Sequence, residues 1–162
     1  VKIDGKVESL IDTGFGLNIE ETGRENIRFI LKILGIKKQT IEQEAREIED
    51  FTELGEFLDL PMRIYSAGMQ TRLSFAISTH IKPDILLMDE VIGAGDVAFK
   101  DKAAKKIEEI TQTTKILFLA THSDTTIKQW CNKVIWLEKG RIKGIGKPDE
   151  MINRYRESMG VA

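Results

Sequence analysis

Apolar positions in this chain fall into two rhythms, and each predicts a different kind of element. Ile27, Ile30, Leu31 and Leu34 recur at i, i+3, i+4 and i+7, the stripe of an amphipathic helix. Thr22-x-x-Glu25 ahead of them is a capping box, and Gly35 stops the helix. Thr40-x-x-Gln43 repeats the capping signal, and Ile41, Ala45 and Ile48 line a second helix. The other face of that helix carries Glu42, Glu44, Glu47, Glu49 and Asp50 and reads as a solvated acidic face. Ser66 is a good N-cap for a third helix with Leu73, Ala76, Ile77 and Ile81 on its inner side, ending near Lys82 and Pro83. Phe99, Ala103, Ala104, Ile107 and Ile110 mark a fourth, broken by the threonine-rich run at 111–114. A short helical stretch follows at 125–130, and after Pro148 a last helix carries Met151, Ile152 and Tyr155.

The second rhythm belongs to strands. Residues 7–11 alternate in part and read as a strand, ended by the loop Gly14-Phe15-Gly16-Leu17. Residues 85–88 are continuously apolar, as expected of a parallel strand covered on both faces, and residues 116–120 repeat the pattern. Strand, helix, strand implies a right-handed parallel crossover. The residues that follow the two strands, Asp89 and Glu90 after the first and His122 after the second, then share the carboxyl edge of the sheet, where ligands bind in open α/β folds. Residues 134–137 and 141–145 alternate around Glu138-Lys139-Gly140 and predict a hairpin. Lys139, Arg141, Lys143 and Lys147 read as edge charges that discourage further pairing.

Composition narrows the picture in three ways. Lys and Arg (24) nearly balance Asp and Glu (26), so no global field draws the chain to nucleic acid or anionic lipid. The single cysteine, Cys131, excludes an intrachain disulfide and fits a reducing compartment. No apolar run approaches the roughly 20 residues needed to cross a bilayer, and no stretch reads as a signal peptide. At 162 residues the chain is one domain or part of one.

Candidate chemistry sits at two places. Ser66-Ala67-Gly68-Met69 opens a helix whose free N–H groups form a natural anion site, and Gly68 lets a ligand approach the backbone without a Cβ in the way. Asp89 suits a hard cation such as Mg²⁺, usually held through water, and an imidazole at His122 can hydrogen-bond a phosphate. His80 reads as structural or merely exposed. Taken singly, the first motif is a capped helix and the second a strand end capped by acids. Their order and spacing together point to phosphate chemistry with a bound metal.

Those residues also carry a family resemblance. Ser66-Ala67-Gly68-Met69 resembles the signature motif of ABC-type ATPases, and residues 85–90 resemble the Walker B strand with its catalytic Glu. Gly95-Asp96 resembles the D-loop, and Ala120-Thr121-His122-Ser123 the switch-histidine loop. Thr22-Gly23-Arg24-Glu25-Asn26, Tyr65-Ser66-x-Gly68-Met69 and Gly95-Asp96-x-x-Phe99 resemble the branch that exports polysaccharide, O-antigen or teichoic acid.

The resemblance implies an α/β, P-loop NTPase-like parallel-sheet core with an α-helical subdomain. Residues 1–21 form a core strand and Q-loop-like segment, 22–82 the helical subdomain with the signature helix, and 83–162 the Walker B strand, D-loop, switch histidine and C-terminal hairpin and helix. It implies ATP and Mg²⁺, with Asp89 for the metal, Glu90 orienting the attacking water and His122 at the γ-phosphate. Ser66, Ala67, Gly68, Met69 and Asp96 serve the nucleotide of a second ATP-binding subunit in a homodimer. Arg72 fits a position near the nucleotide or an exposed helix arginine. The implied partner is a transmembrane permease subunit at the cytoplasmic face of the membrane, with no nucleic acid; segments 14–20 and 60–64 face its coupling helix. The Q-loop glutamine falls near Thr13, and no Gln is present there.

The chain begins at Val1 and contains no G-x-x-x-x-G-K-[ST], the loop that cradles phosphates in such ATPases. The expectation is the C-terminal part of a longer domain, with its N-terminal part missing and negligible turnover alone; the other reading is a protein that has lost the loop. Two rival functions are a non-catalytic docking module and the lobe of an SMC-type chromosome ATPase. A docking module needs neither Glu90 nor His122. An SMC-type lobe calls for a long coiled coil where this chain has a modest helical region.

Overall fold

Gly23 sits where two segments pass too closely for any side chain. A Cβ there would lie 2.5 Å from the Tyr65 hydroxyl oxygen and 2.8 Å from Leu58 Cδ2. Around this contact the helical part of the chain is assembled. In the computed structural model, which describes residues 2–10, 16–89 and 97–160 (97 and 98 by their backbone), the elements run β1 (Val7–Leu10), α1 (Gly23–Ile33), α2 (Ile41–Thr52), α3 (Ala67–Ser78), β2 (Ile85–Asp89), α4 (Val97–Thr113), β3 (Ile116–Ala120), α5 (Asp124–Trp130), β4 (Val134–Glu138), β5 (Arg141–Gly146) and α6 (Pro148–Ser158). Two short 3-10 turns, Gly55–Asp59 and Met62–Ile64, link α2 to α3.

The chain divides into two compact units. The first comprises Val1–Met88 with Ile92–Phe118, the second Asp89–Val91 with Leu119–Ala162. In the first, α1 starts at the predicted capping box: the Thr22 hydroxyl accepts from Glu25 N–H, and the Glu25 carboxylate accepts from Thr22 N–H at 2.9 Å. The core joins Ile27 and Leu31 of α1, Ile41, Ala45 and Ile48 of α2, and Leu73, Ala76 and Ile77 of α3, closed by Leu54, Leu58, Met62 and Tyr65. Phe51, Phe75 and Phe99 tie α2, α3 and α4 together, their ring centroids 5.6 to 6.1 Å apart in stacked and edge-on pairs.

The sheet has the order β1-β2-β3. β1 and β2 are parallel, with Leu10 beside Met88, and Leu10, Leu86 and Met88 are buried. Lys115 and Ile116 N–H both donate to the Asp84 carbonyl, so β3 starts beside the start of β2. The Asp84 side chain closes this edge, accepting from Lys6 N–H at 2.9 Å and pairing with Lys115 at 2.7 Å. In the second unit β4 and β5 form the predicted hairpin, and Lys139 and Gly140 take the positive φ (48° and 74°) that a two-residue turn needs. α6 packs closely on this hairpin: a Cβ at Gly146 would lie 2.9 Å from Met151 Cε.

Four local expectations are corrected, and one about the end of α4 holds. No side-chain cap forms at Thr40, whose backbone is already helical and whose hydroxyl donates to the Lys37 carbonyl. α3 stops at Ser78, well before Pro83, with Thr79 as its C-cap: the Thr79 N–H donates to the Phe75 and Ile77 carbonyls and its hydroxyl to Phe75 at 2.7 Å. The threonine run does end α4 as expected: Thr111 and Thr113 bond back to carbonyls of the preceding turn, and the helix stops at Thr113. β3 is not buried on both faces, since Ile116 and Phe118 are about half exposed. The acidic face of α2 is not simply solvated. Glu42 and Glu49 bond Arg28 of α1, and Glu49 also pairs with Arg24.

Gly23→Ala is expected to cost about 1–3 kcal/mol, because the new methyl group must push apart Tyr65 and the backbone near Leu58. Urea denaturation followed by circular dichroism checks it; an unchanged midpoint would refute the close contact.

Candidate functional site

The N-terminus of α3 is positioned by a buried polar hub that the sequence pattern did not reveal. Asn26 on α1 has no exposed surface. Its Oδ1 accepts from Asn18 N–H at 2.7 Å, and its Nδ2 donates to the carbonyls of Asn18 and Thr22, both at 2.9 Å. Segment 16–22 is thereby folded over the start of α1. That segment in turn holds the approach to α3. Met62 N–H donates to the Glu21 carbonyl at 2.9 Å and Arg63 N–H to the Ile19 carbonyl at 2.8 Å, and Thr22 bridges Pro61. Tyr65 is buried on Gly23, and its hydroxyl donates to the Phe57 carbonyl at 2.8 Å; burial pushes its pKa up. The one signal in the sequence was a polar residue four positions before Ile30 on an apolar stripe.

Ser66 follows directly. It has extended backbone angles, and its Oγ accepts from Met69 N–H at 3.2 Å. An α-helix leaves its first four N–H groups without intrahelical acceptors, so the cap takes one of them and the Ala67 and Gly68 N–H groups remain at the helix end. Ser66 and Ala67 are exposed, and a Cβ at Gly68 would meet nothing nearer than Ser66 Oγ at 3.9 Å. There is room for a ligand against this backbone. Met69 packs its thioether against the helical core, a role a glutamine would fill poorly. Arg72 lies over the Phe99 ring, its guanidinium carbon 5.1 Å from the centroid.

The strand ends carry the other candidates. Asp89 is the last residue of β2 and is exposed. Glu90 and Asp96 lie outside the described residues, as does position 13. His122 is exposed just past the end of β3. Its turn is fixed on both sides: the Thr121 hydroxyl accepts from Ser123 N–H at 3.1 Å, and Ser123 caps α5 by accepting from Thr126 N–H. α5 is anchored to α6 through Asp124 with Arg156 and Lys128 with Asp149. β2 and β3 are neighbours in the sheet and start side by side at Asp84, so their carboxyl ends, with Asp89 at one and the turn holding His122 after the other, lie at the same edge.

Segments 16–20 and 60–64, brought together by the backbone bonds above, leave Ile19, Leu60 and Ile64 40–56% exposed. Among the described residues no helix is long and apolar enough to cross a membrane.

Comparison with known proteins gives a consistent set. The chain is 39% identical over 162 residues to the O-antigen export system ATP-binding protein RfbB of Myxococcus xanthus, covering all of this chain and 37% of that protein. It is 36% identical over 159 residues to the Klebsiella pneumoniae protein of the same name, covering 98% and 65%. With the teichoic acids export ATP-binding protein TagH of Lactococcus lactis it shares 40% over 157 residues, covering 97% and 34%. The chain therefore spans between about a third and two thirds of the length of these relatives. Among solved structures, the ATP-binding subunit of an ABC transporter superposes with a TM-score of 0.72 at 20% identity, over 93% of this chain and 62% of that one. A dimeric ATP-binding cassette in a post-hydrolysis state, bound to ADP and Pi, superposes with a TM-score of 0.64 at 20% identity, over 88% and 63%. These likenesses establish the fold. No protein-family model matches the chain.

Ser66→Ala removes the cap of α3 and is expected to cost about 0.5–2 kcal/mol of stability. Chemical denaturation measures it; a loss below a few tenths would mean that the serine is not capping.

Proposed function

We propose that this chain is the part of an ABC exporter's ATPase subunit that supplies the signature helix, the strand-end acids and the switch histidine. The observation that carries this reading is the open N-terminus of α3, capped by Ser66, with free space at Gly68. A phosphate fits it by chemistry and by room. The exposed carboxylate of Asp89 at a strand end fits a hard cation.

The reaction is hydrolysis of MgATP. Asp89 would hold Mg²⁺, which would supply positive charge against the phosphate oxygens. Glu90 orients a water molecule and takes its proton as the oxygen attacks the γ-phosphorus; the β–γ bridging bond breaks, leaving ADP and phosphate. His122 hydrogen-bonds the γ-phosphate. Ser66, Ala67, Gly68 and Met69 form the helix end that meets the γ-phosphate of nucleotide held by a second copy, and Asp96 meets that copy as well. Each site is then built from two chains. The phosphate cradle comes from residues outside these 162. The names of the relatives support a lipid-linked polysaccharide, O-antigen or teichoic acid, as the cargo. The exposed Ile19, Leu60 and Ile64 form the apolar patch on which the coupling helix of a membrane permease docks, and the subunit sits peripherally at the cytoplasmic face of the membrane.

A complementation experiment tests the shared site. A chimera in which the N-terminal segment of the Klebsiella relative precedes Val1 should hydrolyse MgATP. Glu90→Gln should lower its turnover about 10²-fold or more, as loss of a general base does. Gly68→Asp, which sets a negative charge at the phosphate end, should also inactivate it. Mixed together, the two inactive variants should recover turnover, because a mixed dimer holds one site with both Glu90 and Gly68 intact. An active parent whose variants fail to complement would sink the two-chain site.

A further inference from the structure

Outside that site, three ligand-bearing side chains converge beside the helical core. Glu44 and Glu47 lie three residues apart on α2 and so on one face. His80 follows the C-cap of α3, and α2 and α3 share the core through Ala45, Ile48, Leu73 and Ile77. One carboxylate oxygen from each glutamate and one imidazole nitrogen of His80 all lie within 4.8 Å of one another. His80 Nε2 is in hydrogen-bonding contact with Glu44 Oε2, and the His80 side chain is only 13% exposed. Glu47 is turned toward the same point, and Gln43 Nε2 donates to its Oε1 at 3.3 Å.

An ion pair alone does not account for this arrangement. One carboxylate, that of Glu44, already partners the His80 imidazole, and Glu47 is exposed, with water open to it. A second negative charge one turn from the first is a cost unless something positive sits between them. We propose that Glu44, Glu47 and His80 bind a single divalent transition-metal ion of the Zn²⁺ class, which clamps α2 to the end of the signature helix. One imidazole and two carboxylates form a donor set that suits Zn²⁺, whereas Mg²⁺ and Ca²⁺ favour oxygen alone. With bonds of about 2.0–2.2 Å, ligand atoms around a tetrahedral ion stand roughly 3.3–3.5 Å apart, so small side-chain rotations close the site. The hydrogen bond from Gln43 is the kind of outer contact that orients a ligating carboxylate. Because α3 begins at Ser66, the ion fixes the far end of the same helix that presents the candidate phosphate site.

Calorimetry with ZnCl₂ and visible absorption with Co²⁺ on the 162-residue chain test this. One ion per chain is expected, with a rise in thermal midpoint on adding Zn²⁺. Glu47→Gln leaves the His80–Glu44 contact in place and removes only a metal ligand, so it separates a metal site from a structural pair. It should weaken Zn²⁺ at least about tenfold and abolish the thermal shift, since even outer-shell losses cost that much. His80→Ala should weaken binding equally and remove the nitrogen signature from the Co²⁺ spectrum. No saturable binding below the millimolar range would overturn the proposal. So would wild-type affinity in Glu47→Gln, which would put the ion elsewhere, at Cys131 or His122.

Discussion

The helical part of this protein depends on one buried amide. Asn26 has no contact with water and spends its hydrogen bonds on the backbone of segment 16–22. That segment is a loop, with no ladder of its own to hold it. The amide supplies the missing partners, and the loop then offers carbonyls to Met62 and Arg63, which carry the chain toward Ser66. A buried polar group left without partners costs about 1–3 kcal/mol, so the hub is either fully made or the loop leaves it. Gly23, three residues earlier on the same helix, completes the constraint by admitting Tyr65 at a distance no side chain allows. Where α3 starts, and which way its first N–H groups point, follows from these two residues.

The forces around that hub differ in weight. Burial of Ile27, Leu31, Ile48, Leu73 and their neighbours supplies the main drive, at about 25 cal/mol per Å² of apolar surface. The pairs of Arg24 and Arg28 with Glu42, Glu49 and Asp59 lie at the rim of α1 and α2. The pairs to Glu42 and Asp59 are exposed and add about 0–1 kcal/mol each, whereas the Glu49 carboxylate is mostly buried between Arg24 and Arg28 and needs both partners. The aromatic trio of Phe51, Phe75 and Phe99 has a positional role as well. It anchors the first turn of α4 soon after the D-loop-like segment, and it gives Arg72 a ring to lie on.

Much of this was legible from local patterns, because the information was local. The Thr22 box, the Ser66 cap, the apolar run at 85–88 and the turn at Lys139-Gly140 each need only neighbours a few residues away. The errors share a cause too. Threonine does not mark a helix end by itself: Thr79, Thr111 and Thr113 all bond back to carbonyls one turn earlier, yet Thr79 follows the last residue of α3 while Thr111 and Thr113 lie within α4. Thr40 satisfied its hydroxyl on Lys37 and left the cap unmade. Long-range partners were not readable at all. Nothing near Glu49 in sequence announces Arg24 and Arg28, and nothing near His80 announces Glu44. The residues of the candidate site were found through their motif order, whereas Asn26 and Gly23, which hold Ser66 in place, needed coordinates to explain them.

The capped N-terminus of α3, the exposed Asp89 and the turn holding His122 are thus separate local constructions on one chain. The relatives are longer, and ABC-type chemistry needs a phosphate cradle that these 162 residues do not contain as a sequence motif. If the chain provides groups that act on nucleotide held elsewhere, calorimetric titration of the chain with MgATP, with a thermal-shift control, should show no saturable binding in the submillimolar range. Tight, stoichiometric binding would contradict it, and would mean that another loop, residues 14–18 first among them, cradles the phosphates itself.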